Sequence, residues 1–173
     1  NARRMARAAA LELGTTADKV LVSSTGVIGV PLPIEKIERG VVGMTAELQD
    51  DPMVGAEGIM TTDSHPKALS ASVGEATITW VAKGSGMIEP NMATMLSYIF
   101  TDAALDAATL DRLLREAVNG TFNMLSVDTD TSTSDTCAIL ANGAAGPVDE
   151  AEFLRVLRAG CTRMTEILAR DGE

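Results

Sequence analysis

Apolar residues recur along this chain at helical spacing in some stretches and cluster in short runs in others. Residues 1–14 are strong helix formers closed by Gly14, so a helix is predicted that is already under way at the first residue. The run Lys-Val-Leu-Val-Ser at 19–23 predicts a strand that passes into the glycine-bearing loop 24–29. Pro31 and Pro33 precede Ile34, Ile37, Val41, Met44 and Leu48, whose spacing predicts one helix, weakened by Gly40 and Gly43. Residues 58–62 predict a strand ending at Asp63. Residues 75–81 predict another, rich in β-branched residues and carrying Trp80. Residues 83–87 form a flexible loop, and the apolar run 95–101 suits a strand at the centre of a sheet.

Two clearer helices follow. Residues 102–120 carry Leu110, Leu113, Leu114, Ala117 and Val118 on one stripe, with Gly120 as the stop. Residues 149–169 open with Asp149 three places before Glu152, as in a capping box, and would bury Phe153, Leu157, Cys161, Met164 and Leu168. Between them lie the polar run 126–136, a strand over 137–141 and a turn at Asn142-Gly143. This mixture predicts an α/β (α+β) fold, a layered sandwich of sheet covered by helices. No internal repeat or linker interrupts it, so 1–173 reads as one catalytic-domain piece. Both ends fall beside helices, which suggests that the piece comes from a longer protein.

Composition narrows the chemistry. Fourteen Lys and Arg against 24 Asp and Glu leave a net charge of −10. A surface that acidic repels phosphate backbones and anionic lipid, which argues against nucleic acid and membrane partners. No run approaches the roughly 18 apolar residues of a membrane span. Two cysteines, Cys137 and Cys161, make no disulfide framework and read as buried thiols. The one histidine, His65, reads as a solvated turn residue and leaves little room for a Ser-His-Asp triad or a His-based metal site. Any chemistry falls to hydroxyls, carboxylates and lysines.

The polar run is the first candidate. As a calcium loop it fails, because Thr133 stands where glycine is needed and Ile139 where the bidentate glutamate belongs. As a phosphohydrolase centre, Asp128 and Asp130 would supply a carboxylate nucleophile and an adjacent acid, with magnesium. The plainer reading is a loop that satisfies its own backbone through short side chains. Lys83-Gly-Ser-Gly86 is no P-loop, since the lysine precedes the glycines. It is either a turn or a lysine beside a backbone that a ligand can approach closely. Thr25-Gly26 is either a common turn pair or a hydroxyl and an N–H that could form an oxyanion hole.

Thr94 has a particular setting. It follows small Ala93, Pro90 and a glycine-rich loop, and it opens an apolar strand. A threonine so placed can attack its preceding carbonyl, convert the amide to an ester and be released by hydrolysis. Its new α-amine, with an ordinary pKa of about 7.7–8.0, then serves as base for its own hydroxyl. Acyl transfer of this kind needs no histidine.

The segment Lys83-Gly-Ser-Gly-Met-Ile-Glu-Pro-Asn-Met-Ala-Thr-Met-Leu96 resembles the self-cleavage segment of the ornithine acetyltransferases, also called glutamate N-acetyltransferases. Ser24-Thr-Gly-Val-Ile-Gly29, Ile59-Met-Thr-Thr-Asp63, the run 126–136 and Ala169-Arg-Asp-Gly-Glu173 agree in the same order, so the resemblance spans nearly the whole chain. It implies a fold of N-terminal-nucleophile type and autoproteolysis between Ala93 and Thr94. The two pieces would stay paired, as a heterotetramer with two copies of each, in the cytoplasm. The resemblance makes Thr94 the nucleophile and Thr25 and Gly26 the oxyanion hole. It makes Thr61, Lys83, Thr94 and Glu173 substrate-binding positions and the run 126–136 a structural hallmark. The reaction implied moves an acetyl group from N-acetylornithine to glutamate through an acetyl-threonine, with no cofactor and no metal. Between Thr62 and Lys83 the chain is shorter than the family pattern, and the family's other N- and C-terminal segments are absent.

Three rivals stand beside this reading. An amidase or aminopeptidase of the same general fold would pass the acyl group to water. A phosphohydrolase would centre on Asp128 and Asp130. A scaffold piece would have no chemistry and would keep Ala93–Thr94 intact.

Overall fold

Residues 1–89, 95–132 and 134–172 are described by a computed structural model, in which the chain divides into two units, 1–50 and 51–173. In the first unit, α1 (Ala2–Glu12) packs on α2 (Ile34–Val41) through small and branched side chains, with Ala6, Ala10 and Ile34 buried. Arg4 forks onto Glu38, with Nε to Oε1 at 2.7 Å, and reaches Glu35 at 3.1 Å. These pairs are exposed, so they orient the helices more than they stabilise them.

Two expectations for this unit are corrected. The apolar period that predicted one helix from Ile34 to Leu48 is cut at Gly43, whose φ of 85° is left-handed. Glycine takes that conformation at little cost, and it ends helices; a single 3-10 turn, Met44–Glu47, follows. The strand expected at 19–23 is a 3-10 turn, Ala17–Lys19, followed by residues in no sheet. Its apolar run carries the β signal, but a strand exists only where its backbone finds a ladder.

The second unit begins with a helix where no helix was expected. Asp51 accepts the Met53 N–H at 2.9 Å and Pro52 occupies the first turn, which together start α3 (Pro52–Gly58). The strand expected at 58–62 is therefore the end of α3 and the loop after it. β1 (Lys67–Val73) and β2 (Ala76–Lys83) then form a hairpin whose two-residue turn has Gly74 at φ 58°. β3 (Leu96–Ala103) pairs antiparallel with β2, which makes it an interior strand as its apolar sequence implied. β4 (Thr136–Gly146) lies parallel to β3. Parallel neighbours need a crossover, and the stretch between these two contains α4 (Ala107–Asn119). The sheet order is β1-β2-β3-β4.

β4 outruns its predicted length. The turn expected at Asn142-Gly143 lies inside the strand as an irregularity, between the pairs Thr101–Ala141 and Ala103–Gly146. Asn142 accepts the Ala144 N–H at 2.9 Å and Gly143 has a φ of 75°, so the local turn chemistry is present while the ladder resumes beyond it. α4 starts later than the pattern implied, because Asp102 and Ala103 complete β3 and Asp106 caps the helix at the Thr109 N–H. α5 (Glu150–Arg170) begins after its expected cap, with Asp149 accepting the Glu152 N–H at 2.8 Å.

One face of the sheet carries the core. Ile78, Trp80 and Ile99 meet Leu110, Leu113 and Ala117 of α4 and Phe153, Leu157, Cys161, Met164 and Leu168 of α5. The layered sheet-and-helix α+β fold is as expected. On the other face, Phe100 and Leu140 are exposed. Among the described residues no helix is long and apolar enough to cross a membrane.

Gly160 of α5 lies flat against the Trp80 ring: a Cβ there would sit 2.2 Å from Trp80 Cζ2. In an open helix Gly→Ala gains up to about 1 kcal/mol. Here the ring is wholly buried and cannot retreat, and overpacking of this kind costs about 1–3 kcal/mol. Gly160→Ala should therefore lower stability, and a urea-unfolding midpoint above the parent's would show that the ring can move.

Candidate functional site

The loop after α3 is organised around one buried carboxylate. Asp63 accepts the N–H groups of Thr61 at 3.1 Å and Gly84 at 2.6 Å, so it ties the loop to the end of β2. Lys67, the first residue of β1, donates to Asp63 at 2.7 Å and to Asp171 at 2.5 Å. Its ammonium has no exposed surface. Asp171 closes α5 and also accepts from Ser64, at 3.0 Å from the N–H and from the hydroxyl as well. The carboxyl–ammonium–carboxyl array thus joins the end of α5, the start of β1 and the loop 61–64.

Charges shift accordingly. Burial raises the Asp63 and Asp171 carboxyls, but hydrogen bonds from Lys67 and from neighbouring donors outweigh it. Asp63 ends below its ordinary value, and Asp171 falls to about 2.

Lys83 ends β2 and is almost wholly buried, at 3% exposure. Its Nζ donates to Thr61 Oγ1 at 2.9 Å, while Thr61 itself is exposed. Thr62 Oγ1 lies 2.6 Å from Ser85 Oγ, a second link between loop and strand end. Burial pushes the Lys83 ammonium down, Asp63 and Asp135 pull it up, and Lys67 pushes it down. A buried ammonium whose hydrogen-bond partner is a neutral, exposed threonine is suited to take a small anion such as a carboxylate.

The structure thus brings Thr61 and Lys83 together. Thr25 and Gly26 lie in the first unit, in an irregular stretch between its two helices. Ala93, Thr94 and Glu173 lie outside the described residues. Asp128 is engaged by backbone, accepting the N–H groups of Met87 and of Ile88, the latter at 3.0 Å. Those bonds, the Met87 one foremost, hold its carboxyl below the ordinary range. Asp130 is exposed, and its N–H donates to Asp128 at 3.3 Å. A carboxylate whose two oxygens are taken up in this way is placed as a loop organiser rather than as a nucleophile. Burial pushes the Cys137 and Cys161 thiols up to about 12, which keeps them protonated and inert. His65 is half-exposed beside Ser64, its Nδ1 2.9 Å from the hydroxyl. Among the described residues, no three His, Cys, Asp or Glu side chains converge so as to hold a metal ion.

Sequence reading missed Lys67 and Asp171, which are separated by 104 positions. Lys67 lies in no motif, and Asp171, although inside the stretch 169–173, was given no role there. The one available hint was a lysine opposite an aspartate four residues away, Asp63 and Lys67, a spacing common on exposed helices.

A sheet layered with helices, with one buried lysine at a strand end and a second held between two carboxylates, defines an α+β protein with a buried cationic cluster beside the loop after α3. The chain matches the ArgJ family over residues 1–173 and belongs to it. The arginine biosynthesis bifunctional protein ArgJ of Rhodococcoides fascians is 46% identical over 173 residues, covering all of this chain and 43% of that protein. ArgJ 2 of Nostoc sp. is 50% identical over 174 residues, covering all of this chain and 45% of that protein. Glutamate N-acetyltransferase Oat2 of Streptomyces clavuligerus is 45% identical over 174 residues, covering all of this chain and 44% of that protein. The chain therefore spans a little under half the length of these relatives.

The buried array makes a pH prediction with a definite sign. A carboxyl held below its unfolded value of about 3.9 contributes stability that is full above that value and lost as pH falls toward about 2. Lys67→Met leaves two buried carboxylates without their shared cation and should cost roughly 3–5 kcal/mol near pH 7. The gap from the parent should narrow on acidification, as both carboxylates take up protons. Urea midpoints measured at about pH 7, 5 and 3 test this; a gap independent of pH would show that the array is not held by charge.

Proposed function

We propose that this chain is the acyl-transferring part of a longer acetyltransferase that moves an acetyl group from N-acetylornithine to glutamate. The observation that carries the reading is the buried Lys83 paired with Thr61, in a chain that matches the ArgJ family along its whole length. Both residues are substrate positions in the resemblance read from the sequence. Lys83 offers its positive charge to a substrate carboxylate, and Glu173 offers the opposite charge to a substrate ammonium.

The chemistry assigned to Thr94 runs in two stages. In maturation, Thr94 Oγ attacks the Ala93 carbonyl carbon, its proton passes to the Thr94 nitrogen and the C–N bond breaks. Water then hydrolyses the ester, leaving the Ala93 carboxylate and a free Thr94 α-amine. In turnover, that amine takes the hydroxyl proton while Oγ attacks the acetyl carbonyl, and ornithine leaves with the proton. The α-amine of glutamate then attacks the acetyl ester, its proton passes by way of the Thr94 α-amine to Oγ, and the acyl C–Oγ bond breaks to release N-acetylglutamate and free Thr94. Thr25 Oγ and the Gly26 N–H would stabilise the oxyanion in each step. The two cleaved chains would remain paired and assemble as a heterotetramer in the cytoplasm, with no cofactor.

Intact-mass analysis of the full-length protein under denaturing conditions should show a break between Ala93 and Thr94, and Thr94→Ala should stay whole. Cleavage of that variant at the same bond would assign the break to another protease. Thr25→Ala should slow turnover by about 10²–10³ with substrate binding nearly unchanged, the usual effect of losing one oxyanion donor. An unchanged kcat with a raised KM would move Thr25 to a binding role.

The transferase and amidase readings separate on kinetics. Initial-rate plots at several glutamate concentrations should be parallel, as for a covalent intermediate. N-acetylornithine alone should add one acetyl mass to the piece that begins at Thr94, and glutamate should remove it. An acetyl mass that decays equally fast without glutamate would leave the amidase standing.

A further inference from the structure

The polar run 126–136 is where two parts of the chain, distant in sequence, are held by carboxylates. On one side, Asp128 accepts the N–H groups of Met87 and Ile88 through its two oxygens. The Val127 N–H donates to the Ile88 carbonyl at 2.8 Å, and the Ser126 hydroxyl donates to Glu89 at 2.7 Å. On the other side, Asp135 Oδ1 accepts the Met95 N–H at 2.7 Å, and the Thr136 N–H donates to the Met95 carbonyl at 3.0 Å. Residues 126–128 thus hold 87–89, residues 135–136 hold 95, and the bond between Ala93 and Thr94 lies in sequence between the two grips.

Backbone strain collects at the first grip. Among the described residues, Met87 (φ 55°) and Thr129 (φ 63°) are the non-glycine residues with left-handed backbone. For a β-branched threonine this is a genuine outlier, and such residues persist only where their surroundings over-determine them. Met87 donates to Asp128, and the Asp130 N–H donates back to the same carboxylate across Thr129 at 3.3 Å, so Asp128 bears on both. The second grip is half-buried. Burial raises the Asp135 carboxyl above its ordinary value, and the Met95 N–H and the Lys83 charge offset that only in part.

We propose that Asp128 and Asp135 are positioning residues for self-cleavage, fixing the chain on either side of the Ala93–Thr94 bond so that the Thr94 hydroxyl can reach the Ala93 carbonyl. The proposal rests on the self-cleavage reading above. Covalent geometry makes the second grip the more telling one. The Met95 N–H belongs to the same planar peptide unit as the Thr94 carbonyl. Asp135 thus accepts from the peptide unit that joins the nucleophile position to β3. Proximity reactions are sensitive to such placement: a misplacement of about 1 Å can cost about 10²-fold in rate. What is asked of Asp135 is geometry, an oxygen in one place, and not its negative charge.

That distinction sets the experiment, made on the full-length protein and read as the rate of Ala93–Thr94 cleavage by denaturing intact mass. Asp135→Asn keeps a carbonyl oxygen at the same distance and should cleave within about threefold of the parent. Asp135→Glu keeps the charge but shifts the carboxylate by one methylene, and it should cleave about 10²-fold more slowly. Asp135→Ala and Asp128→Ala should be slowed at least as much. Leu157→Ala, a core truncation that removes none of the hydrogen bonds of either grip, supplies the control for lost stability and should cleave at the parental rate. Parental cleavage in Asp135→Glu would overturn the proposal, whether or not the alanine variants fold. So would an equal slowing in Leu157→Ala, and a block in Asp135→Asn as deep as in Asp135→Glu would overturn the claim that an oxygen in one place is all that is asked of Asp135. A parent protein that never cleaves, or a Thr94→Ala variant that does, would instead remove the self-cleavage reading itself.

Discussion

The second unit is organised around an ammonium that has no water. Lys67 lies with its Nζ fully buried between Asp63 and Asp171, and such a charge is tolerable only when opposite charge and hydrogen bonds replace its hydration. Each partner carboxylate is itself spoken for by other donors. Asp63 gathers the Thr61 and Gly84 N–H groups, and Asp171 gathers the N–H and hydroxyl of Ser64. The ion array therefore does more than satisfy itself. It fixes where the loop after α3 stands against the end of β2, and with it the distance between Thr61 and Lys83.

That arrangement leaves Lys83 in a different state from Lys67, although the two share Asp63 as a neighbour. Lys67 is surrounded by carboxylate oxygens, whereas Lys83 donates to a neutral hydroxyl and is pushed down by burial. One lysine is structural and its charge is already matched. The other, bonded to the Thr61 hydroxyl, is the lysine that the proposed function assigns to an incoming anion. The division of labour follows from the number of carboxylates each ammonium meets. A second use of carboxylates, on backbone N–H groups rather than on lysines, recurs at Asp128 and Asp135, where the chain on either side of residues 90–94 is held.

Much of the fold was legible. The interior strand β3, the stripes of α4 and α5 and the cap at Asp149 all follow from local rules that the tertiary structure does not oppose. The errors share one cause. The runs at 19–23 and 58–62 have the apolar, β-branched look of strands, yet neither joins a ladder among the described residues. Asp51-Pro52 is a local helix start that the sequence reading passed over. At Asn142-Gly143 the turn signal was real, but a ladder with β3 on both sides absorbed it as an irregularity inside one strand.

The sequence by itself determined the chemical vocabulary and the family: a lysine beside glycines, a threonine after a small residue at a strand start, and a polar run whose residue types suit backbone hydrogen bonds. Local spacing can carry such information because it depends on residues close in the chain. Only the tertiary structure decided that Lys83 meets Thr61 across 22 positions, that Lys67 meets Asp171 across 104, and that Asp128 and Asp135 each reach back about 40 residues. Those pairings depend on how the sheet brings strand ends together and on where burial removes water. A buried charge must find its partner wherever the fold places one, and no periodicity along the chain encodes that place.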